Sequence, residues 1–385
     1  MKKGLIALAF GGLAIGMTEF TMMGILPDIA KDLSVKDTDA AHFIALYALG
    51  VVVGAPTLVM FTSKFSPKKV LLFLMLLFFI FNGLFAILPD FKTLSVARFI
   101  SGLPHGAFFG VGSVVAAKLA DKGKEAQAIA FMFTGMTIAN LAGVPLGTYI
   151  GHHYTWRITY MIIAFLGLVT FLAILFWLPK TETRDNTSML SQLNFFKTTK
   201  AWLLIAIISI GTGGLFAWIS YIAPMSINVS KVPADNIPYI MVLVGTGMFF
   251  GNILGGKLSD TISPTKAAIV CLSSMVACLI VVYFTAHINI MAYIMAFVTG
   301  LVAFTIGSPL QMMLIRNAKG AETLAASAGQ ASFNIGNTLG AYLGGIPIII
   351  GYSYNTPVLM GAAMAMTGAM LSFVFLKKFN ISKKM

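Results

Sequence analysis

Stretches of about twenty apolar residues recur twelve times along this 385-residue chain, and no other feature limits its fold so tightly. Twenty helical residues span roughly 30 Å, the thickness of a bilayer's hydrocarbon core. The runs fall at 4–27, 40–61, 70–89, 94–119, 126–151 and 157–179, then at 202–227, 237–258, 266–286, 289–314, 322–350 and 355–376. Only 10% of residues are charged, against about a quarter in soluble domains, so a soluble globular protein is excluded. The expectation is an all-α integral membrane protein with twelve transmembrane helices. The longest polar stretch, 180–200 (KTETRDNTSMLSQLNFFKTTK), reads as a linker between a six-helix bundle at 1–179 and a second at 201–385. Within it, SQLNFF suits a short interfacial helix. The opening MKKGLIALAF imitates a secretory signal, but its apolar run continues to Pro27. That is longer than a signal's hydrophobic region, and it reads as the first span.

Placing both ends and the even-numbered loops on one side gathers twenty Lys and Arg there: residues 2, 3, 64, 68, 69, 118, 122, 124, 180, 184, 197, 200, 257, 266, 316, 319, 377, 378, 383 and 384. The other side holds Lys31, Lys36, Lys92, Arg157 and Lys231. By the positive-inside bias both termini are expected in the cytoplasm of a multi-pass inner-membrane protein. The same bias accounts for the net charge of +13 without a nucleic-acid partner.

A shift of 197 residues superposes separated features without gaps. Gly50 and Gly54 fall on Gly247 and Gly251, SPKK (66–69) on SPTK (263–266), and KGKE (122–125) on KGAE (319–322). Asn140, Gly143, Leu146 and Gly147 fall on Asn337, Gly340, Leu343 and Gly344. Two pseudo-symmetric six-helix halves with a substrate site near the midplane are an arrangement of secondary transporters. Small-residue ridges at Gly135, Ala139, Gly143, Gly147 and Gly151, at Gly336, Gly340 and Gly344, and at Gly247, Gly251 and Gly255 allow close helix approach. They serve either static packing or a sliding surface.

Of thirteen acids, Glu19 alone lies inside a span. A charge near the bilayer centre costs about 2.5–3.5 kcal/mol or more, so this carboxylate is compensated or used. Withdrawal from water favours the protonated form, which suits a proton carrier. Permanent neutralisation by a neighbour is the plainer alternative. Gly12, Gly16 and Met23 share its helical face, which therefore offers a small cavity lining. In the fourth span Arg98, Gly102, His105 and Phe109 share one face, proposing Arg98 and His105 as proton-coupling partners. A packing anchor and a neutral interhelical histidine are their bland counterparts.

Asn82, Asn140, Asn252, Gln311, Gln330, Asn334 and Asn337 are the other polar residues at mid-span depth. Candidate substrate contacts are Glu19, Met23, Phe109, Asn140, Trp218, Tyr221, Gln311, Gln330 and Asn334, although the stripe at 330, 334 and 337 equally serves helix packing. No His, Cys, Asp or Glu cluster suggests a metal, a cofactor or an enzyme. Cys271 and Cys278, seven apart in one run, read as lipid-facing or core thiols. GNILGGKL (251–258) imitates a phosphate loop but has Leu258 where a metal-binding hydroxyl is required.

The stretches TEFTMMGILPDIA, YALGVVVGAP, RFISGLPHGAFFGVG, NLAGVPLGTYIG, AWISYIAPM and GQASFNIGNTLGAYLGG resemble the major facilitator superfamily over nearly the whole chain. Within it they are most similar to the twelve-span drug and sugar efflux (drug:proton antiporter-1) group and its arabinose-efflux-type permeases. The resemblance implies two bundles rocking around a central cavity, a functional monomer, and proton-coupled export of a small organic molecule. The family's loop after the second span, G-x-x-x-D-x-x-G-R-[KR], has lost its glycine and acid in MFTSKFSPKK. The second copy, GGKLSDTISPTK, keeps Gly256 and Asp260. The antiporter glycine-proline motif maps to Gly143, Pro145 and Gly147, with Val144 intervening where the family has adjacent Gly and Pro. A proton-independent facilitator or importer is the rival reading.

Overall fold

The structure, a computed structural model, describes residues 2–35, 37–40, 42–180 and 192–380. Lys36, Arg184, Lys383 and Lys384 of the charge count, and 181–191 of the expected linker, lie outside them. The described residues contain helices and no strand. The twelve long elements are α1 (Lys2–Asp32), α2 (His42–Phe61), α3 (Pro67–Ile87), α4 (Phe91–Leu119), α5 (Glu125–His153), α6 (Trp156–Trp177), α7 (Thr199–Asn228), α8 (Ile237–Ile262), α9 (Pro264–Thr285), α10 (Asn289–Asn317), α11 (Glu322–Ile349) and α12 (Pro357–Phe375). All but α11 are apolar enough throughout a membrane-length window to be spans by composition alone. α11 is as long, at 28 residues, but carries Gln330, Asn334 and Asn337. At SQLNFF, where a short helix is expected, Gln192 and Leu193 are helical and run into a 3-10 turn at Asn194–Lys197, with Ser191 outside the described residues.

Local chemistry sets many boundaries. Proline supplies the fixed φ of a first turn in α3, α8, α9 and α12. Asp90 caps α4, Thr155 caps α6 and Thr198 caps α7, each accepting from backbone N–H groups of the first turn. Three prolines also break spans from inside. A proline has no N–H for the carbonyl four residues earlier, and its ring crowds that carbonyl. Pro145 accompanies a π-turn at Ala139–Gly143 in α5, Pro224 a break after Ile219 in α7, and Pro309 a break after Phe304 in α10. The carbonyl of Thr305, four residues before Pro309, is met by the thiol of Cys271 at 3.7 Å.

The chain divides into two compact units, 1–193 with 319–331, and 194–318 with 332–385. The shift of 197 carries α3 onto 264–284 and α1 onto 199–229, against observed bounds of Pro264–Thr285 and Thr199–Asn228. The repeated KGKE and KGAE turns have one physical cause. Gly123 and Gly320 both adopt positive φ, 82° and 77°, and their amides donate to Glu125 at 3.3 Å and Glu322 at 3.0 Å.

The glycine ridges pack within helix pairs. Gly135, Gly143, Gly147 and Gly151 face α1; Gly336, Gly340 and Gly344 face α7; Gly247, Gly251 and Gly255 face α10. A Cβ at Gly54 would meet the Leu103 carbonyl, and one at Gly251 the Leu301 carbonyl. Gly12 and Gly16 are likewise taken up, against Met132, Met136 and Ala139 of α5. The expectation that they line a cavity beside Glu19 is corrected accordingly: with no side chains, they are where two backbones come together.

Candidate functional site

Among the described residues Arg98, on α4, is the largest buried charged side chain, 1% exposed. α4 carries it inward because Gly102, the next small residue on that face, lets α4 rest on the backbone of Tyr47 in α2. A buried guanidinium needs partners for its donors and for its charge. Its Nη1 donates to the Thr18 hydroxyl at 2.9 Å and its Nη2 to the Thr18 carbonyl at 2.8 Å, both on α1. Its Cζ stands 4.2 Å from the Tyr47 ring centre, 5.6 Å from Tyr160 and 5.7 Å from Phe85, so aromatic faces supply further compensation.

The polarity of the network is fixed. Arg98 can only donate, so Thr18 accepts from it and passes its own proton to Asn82 Oδ1 at 2.6 Å. The Asn82 amide nitrogen then donates to the Phe78 carbonyl at 2.8 Å. On the other side the Tyr47 hydroxyl lies 3.1 Å from Nδ1 of His105, whose ring meets Phe109 edge-on at 5.3 Å. Tyr47 therefore touches both Arg98 and His105. Buried polar atoms without a hydrogen-bond partner, Arg98 Nε, Tyr160 Oη and Thr21 Oγ1, belong to three of the helices around this centre.

Glu19 follows Thr18 directly and is half-buried. No ion pair joins it to Arg98; the described salt bridges are His152 to Asp28 and Arg157 to Asp32, in the same unit. The guanidinium is thus held by neutral groups beside the one carboxylate of the spans.

The other candidates are distributed. Phe109 is fully buried and stacked on Phe133 at 4.7 Å, whereas Met23 is 54% exposed. Asn140 sits in the π-turn of α5 with its amide on the Met136 carbonyl at 3.3 Å, and Gly143 ends that turn ahead of Pro145 and Gly147. In the second unit Trp218 is buried against Ile222, Met225 and Met295 around a small crevice. Tyr221 donates its hydroxyl to the Ala341 carbonyl at 2.8 Å, a bond that serves α7–α11 packing. Gln311 and Gln330 are buried, and Asn334 and Asp260 half-buried. Gly256 is buried in α8. Cys271 and Cys278 are core thiols, the latter 3.2 Å from the Thr299 hydroxyl.

Sequence reasoning missed Thr18, Tyr47 and Tyr160. Tyr47 carried a usable signal: Gly50 and Gly54 on α2 have the spacing of Gly102 and Gly106 on α4, and pairing those ridges sets Tyr47 beside Arg98. Tyr160 carried none.

The family model of the Major Facilitator Superfamily matches residues 8–329. The chain belongs to that superfamily. This major facilitator is 38% identical over 380 residues to AraJ of Escherichia coli (strain K12), covering 99% of this chain and 96% of the relative. It is 36% identical over 375 residues to the inner membrane transport protein YdhP of the same strain, covering 97% and 96%. The solved structure of the E. coli fucose:proton symporter FucP shares the fold, with a TM-score of 0.79, 14% identity, and coverage of 96% of this chain and 98% of that one. As a major facilitator, the chain is a multi-pass membrane transporter and not an enzyme.

Proposed function

We propose that this transporter exports a small organic molecule, such as a sugar or a lipophilic drug, in exchange for protons by alternating access. The observation that carries the reading is that no ion pair ties Glu19 to Arg98. Arg98 is compensated by Thr18, Tyr47, Tyr160 and Phe85 without an ion pair. Glu19 is therefore free to exist as a neutral acid, and to lose its proton while a cation held nearby offsets the new charge. External protons load Glu19, substrate leaves outward, and the proton is released inside. His105, tied to Tyr47, senses that change through the ring on which Arg98 rests.

The two units support a division of labour. By the shift of 197, Phe216 is the sequence counterpart of Glu19, Met295 of Arg98 and Val302 of His105. Charge handling then belongs to the first unit. Trp218, Gln311 and Asn334 in the second, with Gln330, Asn140, Phe109 and Met23, are assigned to substrate, and Gly143, Pro145, Gly147, Gly256 and Asp260 to gating. The excess of Lys and Arg on one side of the spans supports a cytoplasmic position for both termini. Val144 between Gly143 and Pro145 favours a second reading, a proton-independent facilitator.

The test uses inside-out vesicles with an acid interior, challenged with sugars, nucleosides, phenicols and cationic dyes, wild type beside Glu19→Gln. A compound that dissipates the gradient only with wild type is the expected result. Uphill export retained by Glu19→Gln would sink proton exchange at this residue and leave the facilitator.

A further inference from the structure

At the Lys- and Arg-poor end of the first unit, two carboxylates tie α1 to two different helices. Asp32, its last residue, accepts from the Trp156 indole N–H at 3.0 Å and pairs with Arg157 at 3.2 Å, both on α6. An indole keeps its proton and a guanidinium its charge across the neutral range, so this tie is permanent. Asp28, one turn earlier, meets α5 instead, with its Oδ2 2.6 Å from Nδ1 of His152. That tie is conditional, because histidine gains and loses its charge between about pH 5 and 8.

The Asp28–His152 contact is one of charge. Asp28 Oδ2 is buried and accepts no hydrogen bond, although the imidazole nitrogen is within ion-pair range. A carboxylate oxygen withdrawn from water without a donor needs a positive neighbour, and His152 supplies one only as imidazolium. The other ionisable groups around it are turned elsewhere. On α6, Arg157 holds Asp32 and the carbonyls of Ala86 and Leu88, and Tyr160 faces Arg98. On α5, His153 sets its Nδ1 3.0 Å from the Tyr149 carbonyl and stacks on the Tyr149 ring. On α1, Lys31 is exposed and makes no ion pair with Asp28.

The π-turn Ala139–Gly143 and Pro145 set the terminal segment of α5, Val144–His153, apart from the rest of that helix. Along this segment α1 packs through small residues: a Cβ at Gly24 would meet the Thr148 side chain, one at Gly147 Thr21, and one at Gly151 Ile25. Among the described residues, Asp28–His152 is the one hydrogen bond or ion pair between α1 and the segment. We propose that Asp28 and His152 form a pH-operated clasp, which fastens the terminal segment of α5 to α1 in acid and frees it as the imidazole loses its proton. Acidity on that face of the membrane thereby sets how freely the segment moves against the helix that carries Thr18 and Glu19. The clasp acts whether or not Glu19 exchanges protons, and its test needs no substrate.

Hydrogen exchange of the full-length protein in detergent, read by mass spectrometry on peptides covering 144–153, follows the clasp directly. With rates corrected for the intrinsic pH dependence of exchange, the segment should open several-fold less often at pH about 5.5 than at about 8.5, either side of the usual histidine value of about 6.5. The difference should vanish in His152→Gln and in Asp28→Asn and persist in Asp32→Asn. Peptides from 157–177 report whether each variant is folded. His152→Lys, whose charge is constant over this range, should fasten the segment at both pH values, which keeps the test decisive if a neutral variant fails to fold. Equal opening at both pH values in wild type, a pH effect that survives in His152→Gln, or one that survives in His152→Lys overturns the proposal.

Discussion

Thr18 is the hinge of the polar centre, since one hydroxyl both accepts from Arg98 and donates to Asn82. Thr18→Val keeps the shape and strands a donor and an acceptor, each costing about 1–3 kcal/mol when buried. Thermal unfolding in detergent should show that loss, and Thr18→Ser should recover most of it. Asp90 offers a prediction at the surface. The Thr93 hydroxyl, then the Thr93 and Lys92 amides, donate to its carboxylate and hold it below the usual aspartate value of 3.8. A carboxyl depressed in the folded state stabilises above its unfolded value and loses that contribution as pH falls through the folded one. The melting temperature of wild type should therefore drop more than that of Asp90→Asn as pH is lowered below about 3.8, and a parallel decline would refute the cap's role.

Between helices, glycine sets the distances. Gly54→Ala drives a methyl into the Leu103 carbonyl and Gly251→Ala does the same at Leu301. Backbone cannot swing aside as a side chain does, so each should cost about 1–3 kcal/mol. Gly83→Ala on α3 meets nothing closer than Ala164 Cβ at 3.8 Å and should be near neutral. Melting curves of the three variants separate packing glycines from incidental ones. Symmetry also reaches the helix ends: Arg157 donates to the Ala86 carbonyl at 3.1 Å, and Asn355 to its counterpart at Tyr283 at 3.3 Å. A charged residue, tied to Asp32 at 3.2 Å, does in one unit what an amide does in the other.

For the whole molecule, twenty basic residues against five set the expected orientation. A C-terminal fluorescent-protein fusion should glow and a C-terminal alkaline-phosphatase fusion should be silent; active phosphatase would reverse the topology. What the chain by itself determined is what depends on period and composition. Apolar runs of membrane length have no alternative to helices in lipid, where every backbone polar group must be satisfied within its own segment. The repeat, the proline positions and the solitary Glu19 were legible for the same reason: each is a local fact about residue type and spacing. The hydrogen-bond partner of Arg98, Thr18, was not. Thr18 and Arg98 are 80 residues apart, Thr18 and Asn82 are 64 apart, and which face of α1 meets which face of α4 follows from glycine ridges on several helices packing at once. Sequence placed a cation and a carboxylate in the spans; tertiary packing decided that neutral oxygens and aromatic faces hold the cation, because a buried guanidinium takes the partners within its reach.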